Sequence, residues 1–405
     1  MDIIQAKQAV IDAGIRLVEA GLIARTWGNV SCRVDDETFV ITPSGRDYLG
    51  LTLDDIVPVK IADCSYEGEI KPSSEKKVHA VIYRLRPEAA FVIHTHQVKA
   101  SGISFMGYDI NGLPEESRAI IGPDVPVASY GLPGTKTLCR GVEEAFKRSS
   151  SKAAIMSYHG AVCYGSDADD AFAVISELEK VCDEYVKAKF EAVVGRTAES
   201  FDEIGEYLAE CAKRNDATAQ EFSACTSERD GNNMIISDEN GEQTVISLRT
   251  GKPLDGSLDK PLSTELHRRV YNKRDDINNI IHSKNPQIMS VSKIDTTIVP
   301  FLDDFAQLIG VTAKTGEFSP SAPEKTAKKV ERKLRHRNAV LLKDNGGLCA
   351  AGDKSDAEAV EMVLAKNSRA YLTSLLDENA TPIKSYEALL MRIVYKAKYS
   401  KKKNG

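Results

Sequence analysis

The sequence predicts an α/β protein made of two tandem domains, and three observations lead to this prediction. The chain has 405 residues, which is long for one domain and ordinary for two. Patterns typical of helices and of strands alternate along it. The segment 78–96 also recurs at 266–284, as expected of a duplicated unit.

The duplication rests on several matched positions. "VHAVIYRLRPEAAFVIHTH" aligns with "LHRRVYNKRDDINNIIHSK", so that His79 matches His267 and His94 matches His282, each pair 188 residues apart. Two further pairs of segments follow in the same order: 115–122 with 303–310, and 159–171 with 345–357. We therefore expect a first domain at 1–195, a second at 196–395, a join within 193–200, and a basic flexible tail at 396–405.

Composition excludes several classes of protein. Hydrophobic residues make up 42% and charged residues 28%, which is ordinary for a globular protein, and the net charge of −6 predicts no nucleic-acid binding. The N-terminus shows no secretory leader, and no run approaches the roughly 20 apolar residues of a membrane helix. The eight scattered cysteines contain no CxxC pair, which favours reduced thiols and a cytoplasmic location.

Helices and strands alternate within the first copy. Apolar residues at helical spacing predict the helices, and short apolar runs predict the strands. The expected order is helix 4–21, strands 29–34 and 38–42, helix 74–84, strand 89–96, helix 135–148, strand 153–157 and helix 168–189. This interleaving is typical of a layered αβ domain.

Two of the predicted strands end in histidine. Residues i and i+2 of a strand project to the same face, so His94 and His96 lie together, about 7 Å apart along the strand. The second strand ends at His159. Three imidazoles suit a zinc ion with one open position, and Glu75 supplies a carboxylate nearby. The alternative is that these are ordinary strand histidines.

The turn before the helix at 74–84 is a candidate anion site. Ser73 and Ser74 are good N-cap residues, and the free N–H groups of a helix start favour an anion. Two loops, "TWGNVS" (26–31) and "TPSGRD" (42–47), combine glycine with small polar residues, as phosphate-binding loops do. Each loop alone is explained as a turn, but beside the histidines they indicate a phosphorylated ligand.

The motifs "GNVS", "ITPSG", "KPSSE", "HTH" and "YHG" occur in the order and spacing of the class II aldolase/adducin family. The resemblance covers residues 5–190 and is greatest to the L-fuculose-1-phosphate aldolase branch. It implies a three-layer α/β/α domain with a mixed, mostly antiparallel sheet, in which His94, His96 and His159 hold one zinc ion per chain. Glu75 is then a ligand or the acid/base. The residues implied to bind phosphate are Thr26, Asn29, Ser44, Gly45, Ser73 and Ser74.

The resemblance implies metal-dependent cleavage of a ketose 1-phosphate to dihydroxyacetone phosphate and an aldehyde. Family aldolases take a tyrosine from a neighbouring subunit as proton donor, whereas the matching stretch 113–126 has no tyrosine and offers Glu115 or Glu116. A decarboxylase or dehydratase acting on a related sugar phosphate is the alternative enzyme. A scaffold without activity, as in adducin, is the alternative of a different class.

The second copy has lost its expected chemistry. Lys284 and Asn345 stand where His96 and His159 stand in the first copy, so we expect a metal-free domain. Either Ser263 holds the position of Glu75, or a deletion places Glu265 there, and "GNNMIIS" (231–237) is a faint echo of the "GNVS" loop. We expect a homo-oligomer, a dimer of tandem chains that imitates the family tetramer, with Asp303 and Asp304 completing the first-domain site.

Overall fold

The computed structural model describes residues 1–23, 27–214, 218–254 and 260–403. The chain forms two compact units, Met1–Ala192 and Val193–Gly405. The division falls at the start of the segment 193–200, where the sequence places the join. Within the described residues, no helix is long and apolar enough to span a membrane.

The first unit contains helices and strands in alternation, as predicted. Its helices are α1 (Ile3–Glu19), α2 (Lys76–Leu85), α3 (Val98–Ile103), α4 (Glu115–Ile120), α5 (Lys136–Arg148) and α6 (Ala168–Val194). Its strands are β1 (Asn29–Arg33), β2 (Thr38–Ile41), β3 (Val57–Lys60), β4 (Phe91–Thr95), β5 (Val127–Ala128), β6 (Ala153–Met156) and β7 (Gly160–Gly165). Strands β3, β5 and β7 are not predicted from the sequence, because they are short or follow directly on a turn.

The seven strands form one sheet in the order β3-β2-β1-β4-β7-β6-β5. All neighbours are antiparallel except β5 and β6, which are parallel. Strands β4, β6 and β7 are buried throughout, as expected when helices cover both faces. Helices α2 and α5 pack on one face through a core that contains Phe39, Ile82 and Phe146, and α1 packs on β1 and β2. The predicted mixed, mostly antiparallel α/β fold is confirmed.

The second unit repeats this plan. Its helices are α7 (Phe201–Ala212), α8 (Thr264–Tyr271), α9 (Pro286–Lys293), α10 (Asp303–Leu308), α11 (Pro323–Leu334), α12 (Lys354–Ser374) and α13 (Ser385–Lys403). Its strands are β8 (Cys225–Asp230), β9 (Asn233–Asp238), β10 (Gln243–Ser247), β11 (Asn279–Ser283), β12 (Thr297–Ile298), β13 (Ala313–Gly316), β14 (Ala339–Leu342) and β15 (Gly347–Ala351). The sheet order is β10-β9-β8-β11-β15-β14-β13-β12, with β13 and β14 parallel.

Equivalent contacts in the two units confirm the duplication. Arg33 donates from Nε to the Ala89 carbonyl at 2.7 Å, and its guanidinium lies 4.7 Å from the centre of the Tyr83 ring. Arg229 makes the matching bond to the Ile277 carbonyl at 3.1 Å and lies 4.9 Å from the Tyr271 ring. Both arginines therefore fasten the first strand of the sheet to the end of the helix that precedes the histidine strand.

The C-terminal end of the chain differs from the expected tail. Helix α13 continues to Lys403 and so includes most of the segment 396–405 that the sequence assigned to a flexible end. Lysine and alanine are good helix formers, and neither glycine nor proline interrupts the helix before its end. The expected flexibility of this segment stays a prediction.

Candidate active site

The strand order explains how three distant histidines meet. Strand β7 is antiparallel to both β4 and β6, so the C-terminal ends of β4 and β6 lie at the same edge of the sheet. His94 is in β4, His96 follows the end of that strand, and His159 lies in the turn between β6 and β7. Their ring centres are 4.9 Å apart for His94 and His96, 4.9 Å for His94 and His159, and 4.5 Å for His96 and His159.

Two glycines permit the close approach that this cluster needs. A Cβ atom on Gly160 would lie 2.2 Å from the Thr95 carbonyl oxygen, so only glycine lets β7 start directly beside the end of β4. Gly28 has a φ of +96°, and a Cβ there would lie 2.6 Å from the His94 carbonyl oxygen. The glycines of the "YHG" and "GNVS" motifs therefore have a steric role next to the histidines.

The three imidazoles fit a divalent metal ion. Their ligand atoms all lie within 4.8 Å of one another, a limit that includes the separation of about 3.4 Å between nitrogens on one tetrahedral zinc. His94 Nδ1 lies 2.8 Å from the Ala161 carbonyl oxygen and donates to it, which leaves the lone pair on Nε2. No other group of this kind occurs among the residues that the structure describes.

Glu75 lies against two of these histidines. It occupies the N-cap of α2 and is 7% exposed. Its Oε1 is 2.9 Å from His159 Nε2, and its Oε2 is 3.0 Å from His94 Nε2, where the two atoms are not aligned for a hydrogen bond. Burial alone would raise the pKa of Glu75, but the His94 and His159 imidazoles outweigh it and hold the pKa of this carboxyl well below its usual range.

Asn29 joins this group from β1. Its amide Nδ2 donates to Glu75 Oε2 at 3.2 Å, and its Oδ1 is hydrogen-bonded to His79 Nε2. The resemblance assigned Asn29 to a phosphate, whereas here both ends of its amide contact protein groups. The sequence analysis used His79 only as a marker of the repeat, and its recurrence as His267 was the signal that a structural role existed.

The loops expected to bind phosphate lie next to each other. Pro43 and Pro72 form an isolated antiparallel bridge, flanked by a bond from Ser44 N to the Lys71 carbonyl at 2.9 Å and one from Ser73 N to the Thr42 carbonyl at 3.0 Å. These bonds place the "TPSGRD" and "KPSSE" loops side by side.

The side chains on these loops differ in exposure. Ser44, Gly45 and Ser74 are exposed, and Ser73 is buried with its Oγ accepting from Glu75 N at 3.2 Å. Neither serine caps α2, because Glu75 takes that position; this corrects the expected helix start. Thr26 lies outside the described residues.

The stretch expected to supply a proton donor lies on the surface. Glu115 and Glu116 are exposed in the first turn of α4, and Glu116 pairs with Lys180 at 3.1 Å. Within the single chain, Glu116 is thus engaged in an exposed ion pair.

In the second unit a hydrogen-bond network occupies the place of the metal site. His282 Nε2 lies 2.6 Å from the Asn345 carbonyl oxygen, and Lys284 Nζ lies 3.4 Å from Asn345 Oδ1. Burial lowers the pKa of His282 to about 4, and the Lys284 cation adds to this effect. The lysine cation and the amide stand where the first unit has two imidazoles.

Two ambiguities in the alignment of the second copy are now resolved. Ser263 is the N-cap of α8, as Glu75 is of α2, whereas Glu265 pairs with Arg268 at 2.7 Å. The counterpart of β1 is β8, which begins at Cys225, so the expected echo of "GNVS" at 231–237 is wrong. Residues 231–232 form the turn before β9, and 233–237 lie in β9 itself.

Asp303 and Asp304 do not form part of a surface. Their exposed fractions are 1% and 3%, and Lys366 donates to Asp304 Oδ2 in the interior of the second unit. Their burial contradicts the expectation that they complete the first-domain site from a surface of the second unit.

Several known proteins are similar to part of this chain. A 5-deoxy-D-ribulose 1-phosphate aldolase of Bacillus thuringiensis is 31% identical over 186 residues, which is 45% of this chain and 85% of that protein. An L-fuculose phosphate aldolase of Haemophilus influenzae is 32% identical over 184 residues, 45% of this chain and 83% of that protein. A solved L-fuculose 1-phosphate aldolase covers 48% of this chain and 89% of its own, at 30% identity and a TM-score of 0.44.

A family model extends the similarity to both units. The model of the class II aldolase and adducin N-terminal domain matches residues 8–186 and 233–372, which together make up more than half of the sequence. The two matched regions lie one in each compact unit. The chain therefore belongs to the class II aldolase and adducin family.

Proposed function

We propose that the first unit is a zinc-dependent lyase that cleaves a ketose 1-phosphate to dihydroxyacetone phosphate and an aldehyde. One observation carries the proposal: three imidazoles converge at a sheet edge, with the buried carboxylate of Glu75 in contact with two of them. Convergence of three imidazoles on one point, beside a shared buried carboxylate, is typical of metal-binding histidines and not of histidines that only pack in a sheet.

His94, His96 and His159 are the residues that would hold the ion. A zinc ion bound there supplies Lewis-acid stabilisation of the negative charge that develops on the ketose oxygens. The Ala161 carbonyl accepts from Nδ1 of His94, so this ring is oriented with Nε2 available as the ligand atom.

Glu75 is the candidate acid/base. Retro-aldol cleavage removes the proton of the C4 hydroxyl, breaks the C3–C4 bond and adds a proton at C3. Glu75 rests in the ionised form, so its carboxylate is ready to accept the hydroxyl proton, and the protonated carboxyl can then return a proton to C3. The proton balance closes without a covalent intermediate on the protein.

The paired loops near Ser44 and Ser73 are the proposed phosphate site. Exposed Ser44, Gly45 and Ser74 surround the N-terminal end of α2, where backbone N–H groups favour an anion. Holding the phosphate there would fix the sugar relative to Glu75, which is one residue from Ser74. The resemblance adds Thr26, which lies outside the described residues, and Asn29, whose amide is bonded to Glu75 and His79 instead.

The names of the two similar aldolases narrow the range of ketose phosphates that we propose as substrate. They act on L-fuculose phosphate and 5-deoxy-D-ribulose 1-phosphate, two ketose phosphates whose chain ends in a methyl group. We therefore propose a deoxyketose 1-phosphate, which yields a small apolar-ended aldehyde beside dihydroxyacetone phosphate.

Incubation of the zinc-loaded protein with these two compounds tests the proposal. We expect release of dihydroxyacetone phosphate, followed through its enzymatic reduction, and loss of that release after chelation of the metal. Carbon dioxide from an oxo-acid sugar phosphate, or water elimination without cleavage, would replace the aldolase by the decarboxylase or the dehydratase. No reaction with any of these compounds would favour the scaffold.

A further inference from the structure

We propose that His79 is a positioning residue that holds Glu75 through Asn29, an inference that deepens the proposed function and rests on it. His79 lies on α2, one turn beyond Glu75, and is fully buried. Its Nδ1 is 2.6 Å from Ser31 Oγ, and its Nε2 is hydrogen-bonded to Asn29 Oδ1. Ser31 Oγ in turn lies 2.7 Å from the Tyr83 hydroxyl. The result is a continuous buried chain of hydrogen bonds that ends at the carboxylate.

The hydrogen bonds of this network all run in one donor-to-acceptor direction, which is set at the Glu75 end. Asn29 donates from its Nδ2 to Glu75 Oε2 at 3.2 Å, and its amide oxygen therefore faces His79 Nε2. His79 therefore carries its proton on Nε2 and accepts from Ser31 at Nδ1. Burial lowers the pKa of His79 to about 3, in keeping with a neutral ring that has one donor and one acceptor. Ser31 then accepts from Tyr83, so every donor points toward Glu75.

Because of this direction, His79 has a positioning role in addition to its packing in the core. The terminal amide of asparagine rotates freely about its last bond, and either of its ends fits a neutral partner. The Nε2–H of His79 fixes which end faces the carboxylate. Glu75 is thereby held by a fixed donor on Oε2 while Oε1 remains directed at His159. Loss of that donor frees Asn29, and with it the orientation of the acid/base.

The second unit separates the structural part of this chain from the positioning part. Ser227 Oγ lies 2.7 Å from His267 Nδ1 and 2.9 Å from the Tyr271 hydroxyl, so the serine, histidine and tyrosine are retained. Beyond the histidine the partners differ: His267 Nε2 faces Cys225 Sγ at 3.4 Å, and that thiol contacts Ser263 Oγ at 2.9 Å. The serine, histidine and tyrosine are common to both units and therefore have a structural role. Of the two networks, only that of the first unit continues to a carboxylate.

Two substitutions of one histidine test the inference. Glutamine places its amide nitrogen near the position of Nε2, and asparagine places its amide near Nδ1. His79→Gln retains the donor to Asn29, and we expect it to keep kcat within about fivefold of wild type. His79→Asn retains only the Ser31 contact, and we expect kcat to fall about 10²-fold, the effect of a reacting group misplaced by an ångström, with KM and zinc content unchanged.

His267→Gln and His267→Asn are the matched controls for loss of the same buried contacts. We expect them to reduce thermal stability as the His79 variants do and to leave kcat unchanged. Equal kcat values for His79→Gln and His79→Asn would overturn the inference, as would a fall in kcat for the His267 variants.

A measurement that needs no substrate keeps the inference separate from the proposed function. The ¹⁵N shifts of the ring nitrogens in histidine-labelled wild-type protein report the tautomer of His79, assigned by comparison with His79→Gln. We expect the Nε2–H form in both the zinc-free and the zinc-loaded protein. A proton on Nδ1 would reverse the chain and overturn the inference even if the protein is an aldolase. A wild type that cleaves no ketose 1-phosphate, with Nε2–H present, would instead remove the proposed function.

Discussion

Glu75→Gln is expected to lower kcat by a factor of about 10²–10⁴ while leaving the protein folded and able to bind zinc. Glutamine has nearly the shape of glutamate and can still accept from Asn29, which lies 3.2 Å from Oε2. It cannot take up or return a proton in the reaction. The ion would still be held by His94, His96 and His159, so the loss should appear in kcat and not in metal content.

The control for this variant lies in the second unit. Glu265 is the one glutamate of the "KPLSTE" segment, and it pairs with Arg268 at 2.7 Å. Glu265→Gln should leave kcat within about twofold of wild type, since no contact links it to the proposed chemistry. Steady-state kinetics with zinc-loaded samples of both variants would decide. A Glu75→Gln enzyme with more than a third of the wild-type kcat would remove Glu75 from its role as acid/base.

Lys366→Met is expected to destabilise the second unit by about 3–5 kcal/mol. The side chains of Lys366 and Asp304 are 1% and 4% exposed, and they are hydrogen-bonded to each other in the interior. Removing the cation takes the positive charge of Lys366 away from the buried carboxylate of Asp304. Urea unfolding followed by far-UV circular dichroism measures the change, because the chain's one tryptophan, Trp27, is in the first unit.

Two further variants make this prediction specific to the buried pair. The double variant Lys366→Met, Asp304→Leu removes both charges and should recover much of the lost free energy of unfolding. Lys180→Met breaks the exposed pair with Glu116 and should cause no measurable change. A double variant as unstable as Lys366→Met alone would show that packing, and not charge, dominates at this position.

Local rules were sufficient for much of the fold and for the choice of two of the candidate metal ligands. Alternation along a strand placed His94 and His96 together, and helical periodicity located α1, α2, α5 and α6. The convergence of His159 with them depends on strand order, since β7 must lie between β4 and β6. Sequence pattern contains no information on that order, and the family resemblance supplied it.

The predictions that differ from the structure concern features that depend on tertiary contacts or on turn geometry. Helix α2 begins at Lys76, and its N-cap residue Glu75 makes no capping bond but faces His94 and His159, which are distant in sequence. Asp303 and Asp304 looked like surface residues because acidic side chains are rarely buried, and their burial depends on Lys366 from another helix. The loss of ligands in the second copy was visible because it required only substitutions at aligned positions.

The zinc content of the purified protein tests the central claim most directly, namely that the first unit holds one catalytic ion and the second unit none. Elemental analysis should give about one zinc ion per chain for the wild type and for His282→Ala, and close to none for His96→Ala. The His282 variant controls for the loss of a buried histidine at the matching strand. A wild type without bound metal after incubation with zinc, or a His96→Ala protein that retains a full equivalent, would contradict the account.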